Sequence, residues 1–199
     1  YNGAIRPQAT GDQLAQIKTG KMAVSKEDKR YLEALYDGEV AFNDHHFGRL
    51  LTALKERGMY EDTAILIITD HGEEFWDHDS VGHGHSLYDE MIHSPFILRY
   101  PNKVPKGRRV SQVISMVDVA PTLYDLAGVE AHDKLEGGSV LDTLDGAGEP
   151  RPRVAVSDFL FRQKSFRAGR YHWITNGRGG KLFDVVGDRH EKRNVIKKH

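Results

Sequence analysis

The feature that most constrains the fold is a short apolar run, TAILIIT, at positions 63–69. It is rich in β-branched residues and carries no charge, which is typical of a strand covered on both faces. The segment before it, from SKED at 25–28 to Gly58, has apolar residues at helical spacing and starts with a capping-box pattern. A helix followed by a buried strand predicts an α/β layer with a parallel sheet.

The rest of the chain predicts two kinds of structure. Strands are expected at 95–100 and 112–117, followed by a helix at 118–128 with Asp118 at its N-cap. Beyond residue 153, short β-rich runs separated by turn residues predict a small antiparallel sheet. We therefore divide the sequence into an α/β domain at 1–144, a Gly- and Pro-rich linker at 145–152 and an antiparallel subdomain at 153–199.

Composition excludes several classes of function. The net charge of −1 gives no indication of a nucleic-acid partner. Cysteine is absent from the sequence, which excludes disulfides and thiolate metal sites, and no apolar segment is long enough to span a bilayer. The chain begins with Tyr1 and shows no signal peptide, so the compartment is not predicted and we expect further sequence before it.

Histidines and acids are concentrated directly after the apolar run. The sequence has 11 histidines, and five of them fall between His71 and His93. Asp70 and His71 come where the strand would leave the sheet, and open α/β sheets bind ligands beyond the carboxyl ends of their strands. An aspartate oxygen and an imidazole nitrogen are both metal ligands, and Gly72 permits a sharp turn behind them. As a dipeptide alone, the pair is more often a turn that ends a strand.

A second group of candidates lies in the sequence GHGH at positions 82–85. His83 and His85 are flanked by glycines, which let the backbone approach an anion closely. Two histidines in such a loop can converge on an anion or a metal, and the alternative is that both are simply solvated. The neighbouring acids, Glu74 among them, are predicted to be solvated loop residues without a role in the site.

The motifs together resemble a known family. The order ILIITDHGEEFWDH, GHGHSLYDEMIHSPFILRYP, VSQVISMVDVAPTLYDLAGV and KLFDVVGDRHEKRN is similar to the C-terminal half of sulfatases of the alkaline phosphatase superfamily. The resemblance implies part of an alkaline-phosphatase-like sandwich, with a mixed or parallel sheet and helices, plus a small C-terminal antiparallel sheet. It also implies that Asp70 and His71 bind the active-site cation, and that His83, or else His85, contacts the sulfate.

The sequence lacks the motif that carries the nucleophile in this family, and this affects the activity expected of the isolated chain. The family nucleophile lies in a C-x-P-x-R or S-x-P-x-R motif with a nearby pair of aspartates, and neither pattern occurs in these residues. We expect a C-terminal portion that is inactive in isolation and that self-associates through a surface normally covered by the rest of the protein.

The resemblance implies a cofactor, a substrate class and two alternative functions. The cofactor is a divalent metal, calcium first, with manganese or zinc as alternatives, and the partner is a sulfate ester of a small molecule or saccharide. His71 in place of asparagine resembles phosphonate monoester hydrolases, so a phosphoric or phosphonate ester hydrolase or a phosphotransferase is the first alternative. A non-catalytic module that binds a metal or an anion is the second.

Overall fold

The computed structural model of the protein describes residues 1–6, 9–144 and 153–198. The chain forms two compact units, Tyr1–Thr63 with Gly72–His83, and Ala64–His71 with Gly84–His199. The elements in chain order are α1 (Gly11–Lys18), α2 (Lys26–Glu56), β1 (Ile65–Ile68), β2 (Glu74–Phe75), β3 (Val81–Gly82), α3 (Asp89–Ile92), β4 (Phe96–Arg99), α4 (Val119–Ala127), β5 (Val154–Phe159), β6 (Gln163–Ala168), β7 (Tyr171–Thr175) and β8 (Gly180–Asp184).

The first unit contains the long helix and a short hairpin. Helix α2 begins as predicted, because the Ser25 hydroxyl accepts from the backbone N–H of Asp28 while the Asp28 carboxylate accepts from the backbone N–H of Ser25. Strands β2 and β3 pair antiparallel. The core of this unit consists of four buried aliphatic residues, Ile5, Ile17, Leu32 and Val81. It joins α1, α2 and β3, so the hairpin is fixed to the helices by apolar contact.

In the second unit, the predicted strands at 63–69 and 95–100 are present as β1 and β4. They pair antiparallel, with Ile65 opposite Arg99 and Ile68 opposite Phe96. The expected parallel arrangement is therefore wrong for this pair, because a preceding helix does not fix the direction of the strand beside it. The predicted coverage of both faces is also wrong among the described residues: all four residues of β1 are only partly buried, and Ile97 in β4 is 57% exposed.

The strand predicted at 112–117 is not formed. The chain there is irregular and ends in a 3-10 turn, Met116–Asp118. The Asp118 carboxylate accepts a hydrogen bond from the backbone N–H of Ser115 at 2.8 Å. This local bond favours a turn at the end of an apolar run that reads as a strand.

Helix α4 ends as predicted, at Gly128 in the left-handed conformation with φ of 69°. Asp118 precedes the helix, but its side chain does not cap it. The carboxylate instead accepts from the backbone N–H of Gly138 at 2.9 Å and forms an ion pair with Arg153 at 3.1 Å. Asp118 is therefore the N-cap residue, as predicted, but a second loop takes up its carboxylate in place of the helix amides.

The C-terminal antiparallel sheet is confirmed. Its four strands follow one another in the order β5-β6-β7-β8, each hydrogen-bonded to the next. Its core consists of Ile174 and Phe183, against which Leu87 packs. The predicted linker at 145–152 lies outside the described residues, so the three-part domain division stays a prediction. None of the described helices combines the length and apolar character needed to cross a membrane.

Candidate functional site

Asp70 and His71 lie just beyond the end of β1, as predicted. The Asp70 side chain is 89% exposed and the His71 side chain 44% exposed. The Asp70 carboxylate accepts from the backbone N–H of His71 at 3.1 Å, and its other oxygen lies 3.9 Å from Nε2 of the imidazole. Ligand atoms about 2.0 to 2.5 Å from one cation lie at most about 5 Å apart. The spacing and the oxygen–nitrogen donor set therefore fit two positions of a divalent-metal site.

The hairpin β2–β3 is organised by a buried acid. Glu74 is fully buried, and one carboxylate oxygen accepts from the backbone N–H groups of His78 at 2.8 Å and Ser80 at 2.7 Å. The Asp77 carboxylate accepts from the backbone N–H of Phe75 at 3.2 Å. The prediction that Glu74 is a solvated loop acid is therefore wrong. The turn has few backbone partners of its own, so a carboxylate satisfies its amides.

His83 is held by two residues that the sequence did not single out. Its Nδ1 lies 2.8 Å from the Glu73 carboxylate, and the side chains of His83 and Glu73 are 56% and 18% exposed. The Lys18 ammonium donates to the backbone carbonyl of His83 at 2.7 Å. A carboxylate on one imidazole nitrogen fixes the ring orientation. His83 is thus an oriented, half-exposed imidazole with a cation beside its backbone.

Gly82 is the position that allows these groups to meet. It has φ of 78°, and a β-carbon there would lie 3.1 Å from the Lys18 ammonium and 3.2 Å from a Glu73 carboxylate oxygen. The Lys18 ammonium and the Glu73 carboxylate oxygen are therefore no farther apart than the sum of those two distances. Both glycines of GHGH have positive φ, while the close approach of their backbone to an anion stays a prediction. The two residues close to Gly82, Lys18 and Glu73, lie outside this motif, so the motif alone could not identify them.

His85 is half-buried and belongs to the second unit, as Asp70 and His71 do, whereas His83 belongs to the first. The structure thus brings Asp70 and His71 together, and it brings His83 together with Glu73 and Lys18. A signal for Glu73 existed in the sequence, since an acid in the same short hairpin as a histidine can reach it. Lys18 carries no such signal, because it reaches His83 only through the packing of α1 on β3.

A further acid–imidazole pair follows on α3. His93 Nδ1 lies 3.0 Å from the Asp89 carboxylate, one helical turn away. This hydrogen bond raises the pKa of His93 above its ordinary value. Burial raises the pKa of Asp89, but the hydrogen bond from His93 and the nearby His172 and Arg167 outweigh it, so the pKa of Asp89 is lowered in sum. The two shifts therefore widen the pH range over which both groups are charged.

Comparison with known proteins identifies the family. The family model "Sulfatase" matches residues 7–129, and the model "N-sulphoglucosamine sulphohydrolase, C-terminal" matches residues 83–199. The chain belongs to the sulfatase family, and the resemblance drawn from its motifs is confirmed.

Curated relatives give the same result. The chain is 26% identical to an arylsulfatase of Clostridium perfringens over 90% of its own length and 39% of the relative. It is 30% identical to arylsulfatase K of Gallus gallus, over 86% and 35%. It is 32% identical to an N-acetylglucosamine-6-O-sulfatase of Bacteroides thetaiotaomicron, over 90% of this chain. The chain spans about a third to two-fifths of the length of these three relatives.

Solved structures confirm the fold class. A 2-O GAG sulfatase superposes with a TM-score of 0.78 at 25% identity, covering 94% of this chain and 42% of that one. The phosphonate monoester hydrolase of Agrobacterium radiobacter superposes with a TM-score of 0.74 at 28% identity, covering 87% and 38%. A protein solved with its substrate D-glucosamine-2-N,6-O-disulfate gives 0.78 at 23% identity, over 96% and 42%. The mixed α/β architecture is thus that of sulfatases and their phosphonate-cleaving relatives.

Proposed function

We propose that this chain is the C-terminal portion of a metal-dependent sulfuric ester hydrolase. The observation that carries the proposal is the exposed Asp70–His71 pair at the end of β1, in a chain of the sulfatase family. Asp70 and His71 are the metal ligands in this proposal. When bound, a divalent cation supplies Lewis-acid polarisation of the ester oxygens. Calcium is the proposed ion, with manganese or zinc as alternatives that the imidazole ligand would suit better.

His83 is the proposed contact to the sulfuryl oxygens, with His85 as the alternative. Glu73 holds the His83 ring by its Nδ1, and the His83 side chain is 56% exposed, so an anion can approach it. Preoriented donors of this kind stabilise charge as it develops in a transition state. Lys18 adds positive charge beside the same backbone. Together these groups favour an anionic ester as substrate, either a small aryl sulfate or a sulfated saccharide.

The attacking group in this proposal comes from sequence beyond these 199 residues. The sequence holds no cysteine and no serine in the family pattern, so the chain by itself is expected to be inactive. We also propose that it self-associates. Strand β4 exposes Ile97 beside the partly buried β1, and exposed apolar strands pair readily with further copies. Sedimentation velocity over a range of concentrations tests this, and a strictly monomeric chain would contradict it.

The activity is tested in a protein that contains this chain together with its upstream half. Purified enzyme is given the sulfate, phosphate and phosphonate esters of one phenol, so that only the acid group differs. We expect the sulfate to be turned over fastest. Asp70→Ala should lower kcat/KM by about 100-fold or more, and His83→Ala should lower kcat more than it raises KM. Glu130→Ala, an exposed change elsewhere in the second unit, is the matched control.

Two observations support the second candidate function. The Asp-His-Gly sequence at 70–72 and the 28% identity to a phosphonate monoester hydrolase both favour cleavage of phosphonate or phosphate esters. Faster turnover of the phosphonate than of the sulfate by the same preparation would replace the first proposal with this one. If Asp70→Ala left all three activities unchanged, the metal assignment would be wrong. If the complete protein cleaved none of the three esters, a non-catalytic module that binds a metal or an anion would be the remaining function.

A further inference from the structure

The segment at 84–93, which carries His85, is fixed to the C-terminal sheet by side chains. Leu87 is buried against Ile174 and Phe183 of that sheet. The hydroxyl of Tyr88 accepts a hydrogen bond from the Lys181 ammonium at 2.6 Å. These contacts lie immediately after His85 in the chain, so they determine where its backbone runs.

A buried carboxylate completes the attachment. Glu191, from the chain after β8, is 2% exposed, and it accepts a hydrogen bond from the backbone N–H of Asp89 at 2.9 Å. Asp89 is the first residue of α3, and Tyr88 before it makes no side-chain capping bond. The first-turn amide of α3 is therefore satisfied by a residue 102 positions away in sequence.

Glu191 is itself held in place by a histidine of β7. Nδ1 of His172 donates to the other carboxylate oxygen, and both side chains are completely buried. The second ring nitrogen of His172, Nε2, is buried and has no hydrogen-bond partner in the described part of the chain. A carboxylate only accepts, so Nδ1 carries the proton in this contact. The contact fixes the orientation of both the ring and the carboxylate.

The backbone of Glu191 is also constrained. Its φ is 52°, in the left-handed region that residues with a β-carbon rarely adopt. Such conformations persist only where surrounding contacts determine them. Here the contacts are the Asp89 amide and the His172 ring, which the carboxylate bridges from that backbone position.

We propose that Glu191, oriented by His172, is a positioning residue for the segment that carries His85. It holds the start of α3, and thereby the backbone on the C-terminal side of His85, in the geometry that the reaction requires. The proposal rests on the proposed function, because it assigns the segment a place in ester hydrolysis. Displacement of a catalytic segment by about 1 Å can cost about 100-fold in rate, so even a remote contact can affect turnover.

The test uses three variants of the complete protein. Glu191→Ala removes the acceptor for both partners, Glu191→Gln keeps an oxygen that can accept from the Asp89 amide, and Glu130→Ala is the exposed control. Amide hydrogen exchange is measured over 84–93 and over the four strands of the C-terminal sheet. Steady-state kinetics with the aryl sulfate are measured on the same preparations.

We expect Glu191→Ala to accelerate exchange locally at 84–93, to leave the sheet protected and to lower kcat about tenfold or more with little change in KM. Glu191→Gln should restore protection and most of kcat. Unchanged exchange at 84–93 in Glu191→Ala overturns the proposal, as does loss of protection throughout the sheet, which means a general structural role. Faster exchange at 84–93 in Glu191→Ala together with an unaltered kcat overturns the proposal too. If the unmodified protein cleaves no sulfate, the proposed function fails while the exchange measurements still decide whether Glu191 holds the segment.

Discussion

Two glutamate–histidine pairs in this molecule have the same chemistry and opposite surroundings. Glu73 and His83 meet at 2.8 Å with the imidazole 56% exposed, whereas Glu191 and His172 meet where neither side chain has any exposure. In the first pair the carboxylate orients a ring that faces solvent. In the second the carboxylate bridges a ring and a helix amide inside the protein. The comparison shows that the same residue pair can orient an exposed ring or bridge two parts of the fold, and that burial distinguishes the two cases.

The largest difference between the two pairs should be in stability. His172→Ala leaves the buried Glu191 carboxylate without its imidazole donor, and we expect it to lower the free energy of unfolding by about 3 kcal/mol. His83→Ala removes an exposed pair and should cost less than about 1 kcal/mol. Urea denaturation followed by circular dichroism measures both. Equal losses would mean that the two pairs do not differ in the way their burial implies.

Glu74 and Glu73 extend the comparison to adjacent residues of one hairpin. Glu74→Ala leaves two backbone amides of a partly buried turn without an acceptor, and we expect a loss of about 2 kcal/mol. Glu73→Ala should cost about 0.5 kcal/mol, because the bond that is lost joins it to the exposed His83. The same denaturation experiment serves both variants. A loss from Glu73→Ala as large as that from Glu74→Ala would contradict the structural role assigned to Glu74.

Substitution of Lys18 tests whether the exposed Glu73–His83 pair can bind an anion. Lys18→Met removes a positive charge beside His83 while keeping the length of the side chain, so KM for an aryl sulfate should rise by about threefold to tenfold. The effect should diminish at high salt, because exposed charges are screened. Lys26→Met at the start of α2 is the matched control. An unchanged KM would restrict Lys18 to holding the backbone of His83.

The smallest expected effect concerns the Asp89–His93 pair. The pKa of His93 is raised by Asp89, so its contribution to stability is complete below the ordinary histidine value of about 6.5 and is lost as pH rises through the raised value. His93→Gln should therefore lower Tm slightly at about pH 5.5, where Asp89 is still ionised, and hardly at all at about pH 9. Differential scanning fluorimetry at both pH values measures this. A larger decrease at the higher pH would reverse the assignment.

Local patterns predicted much of this molecule correctly. The Ser25–Asp28 capping box, the left-handed Gly128 and the four C-terminal strands are set by neighbours in sequence, and each is present. Asp70 and His71 could be predicted as a pair because they follow a strand directly. The features that were missed depend on partners distant in sequence: the antiparallel partner of β1, the second loop that binds Asp118, and Lys18 beside His83.

The predicted chemistry of single residues failed where burial could not be read from composition. Glu74 stands in an acid-rich stretch typical of a solvated loop, yet the turn of its own hairpin requires its carboxylate. Glu191 is similar, since nothing in DRHEKRN at 188–194 indicates a residue that reaches α3. A carboxylate in a charged run is buried when backbone amides elsewhere need an acceptor, and that need becomes visible only in three dimensions.

The long separation between Glu191 and Asp89 also has a consequence for the order of folding. The four C-terminal strands are joined by short connections and can pair locally, whereas the bond to α3 closes a span of 102 residues. Local pairings form early and distant ones late, because closing a long stretch of chain costs more entropy. During synthesis, α3 leaves the ribosome well before its capping carboxylate exists. The segment that carries His85 would then be among the last parts to reach its final conformation, after the sheet that receives it has formed.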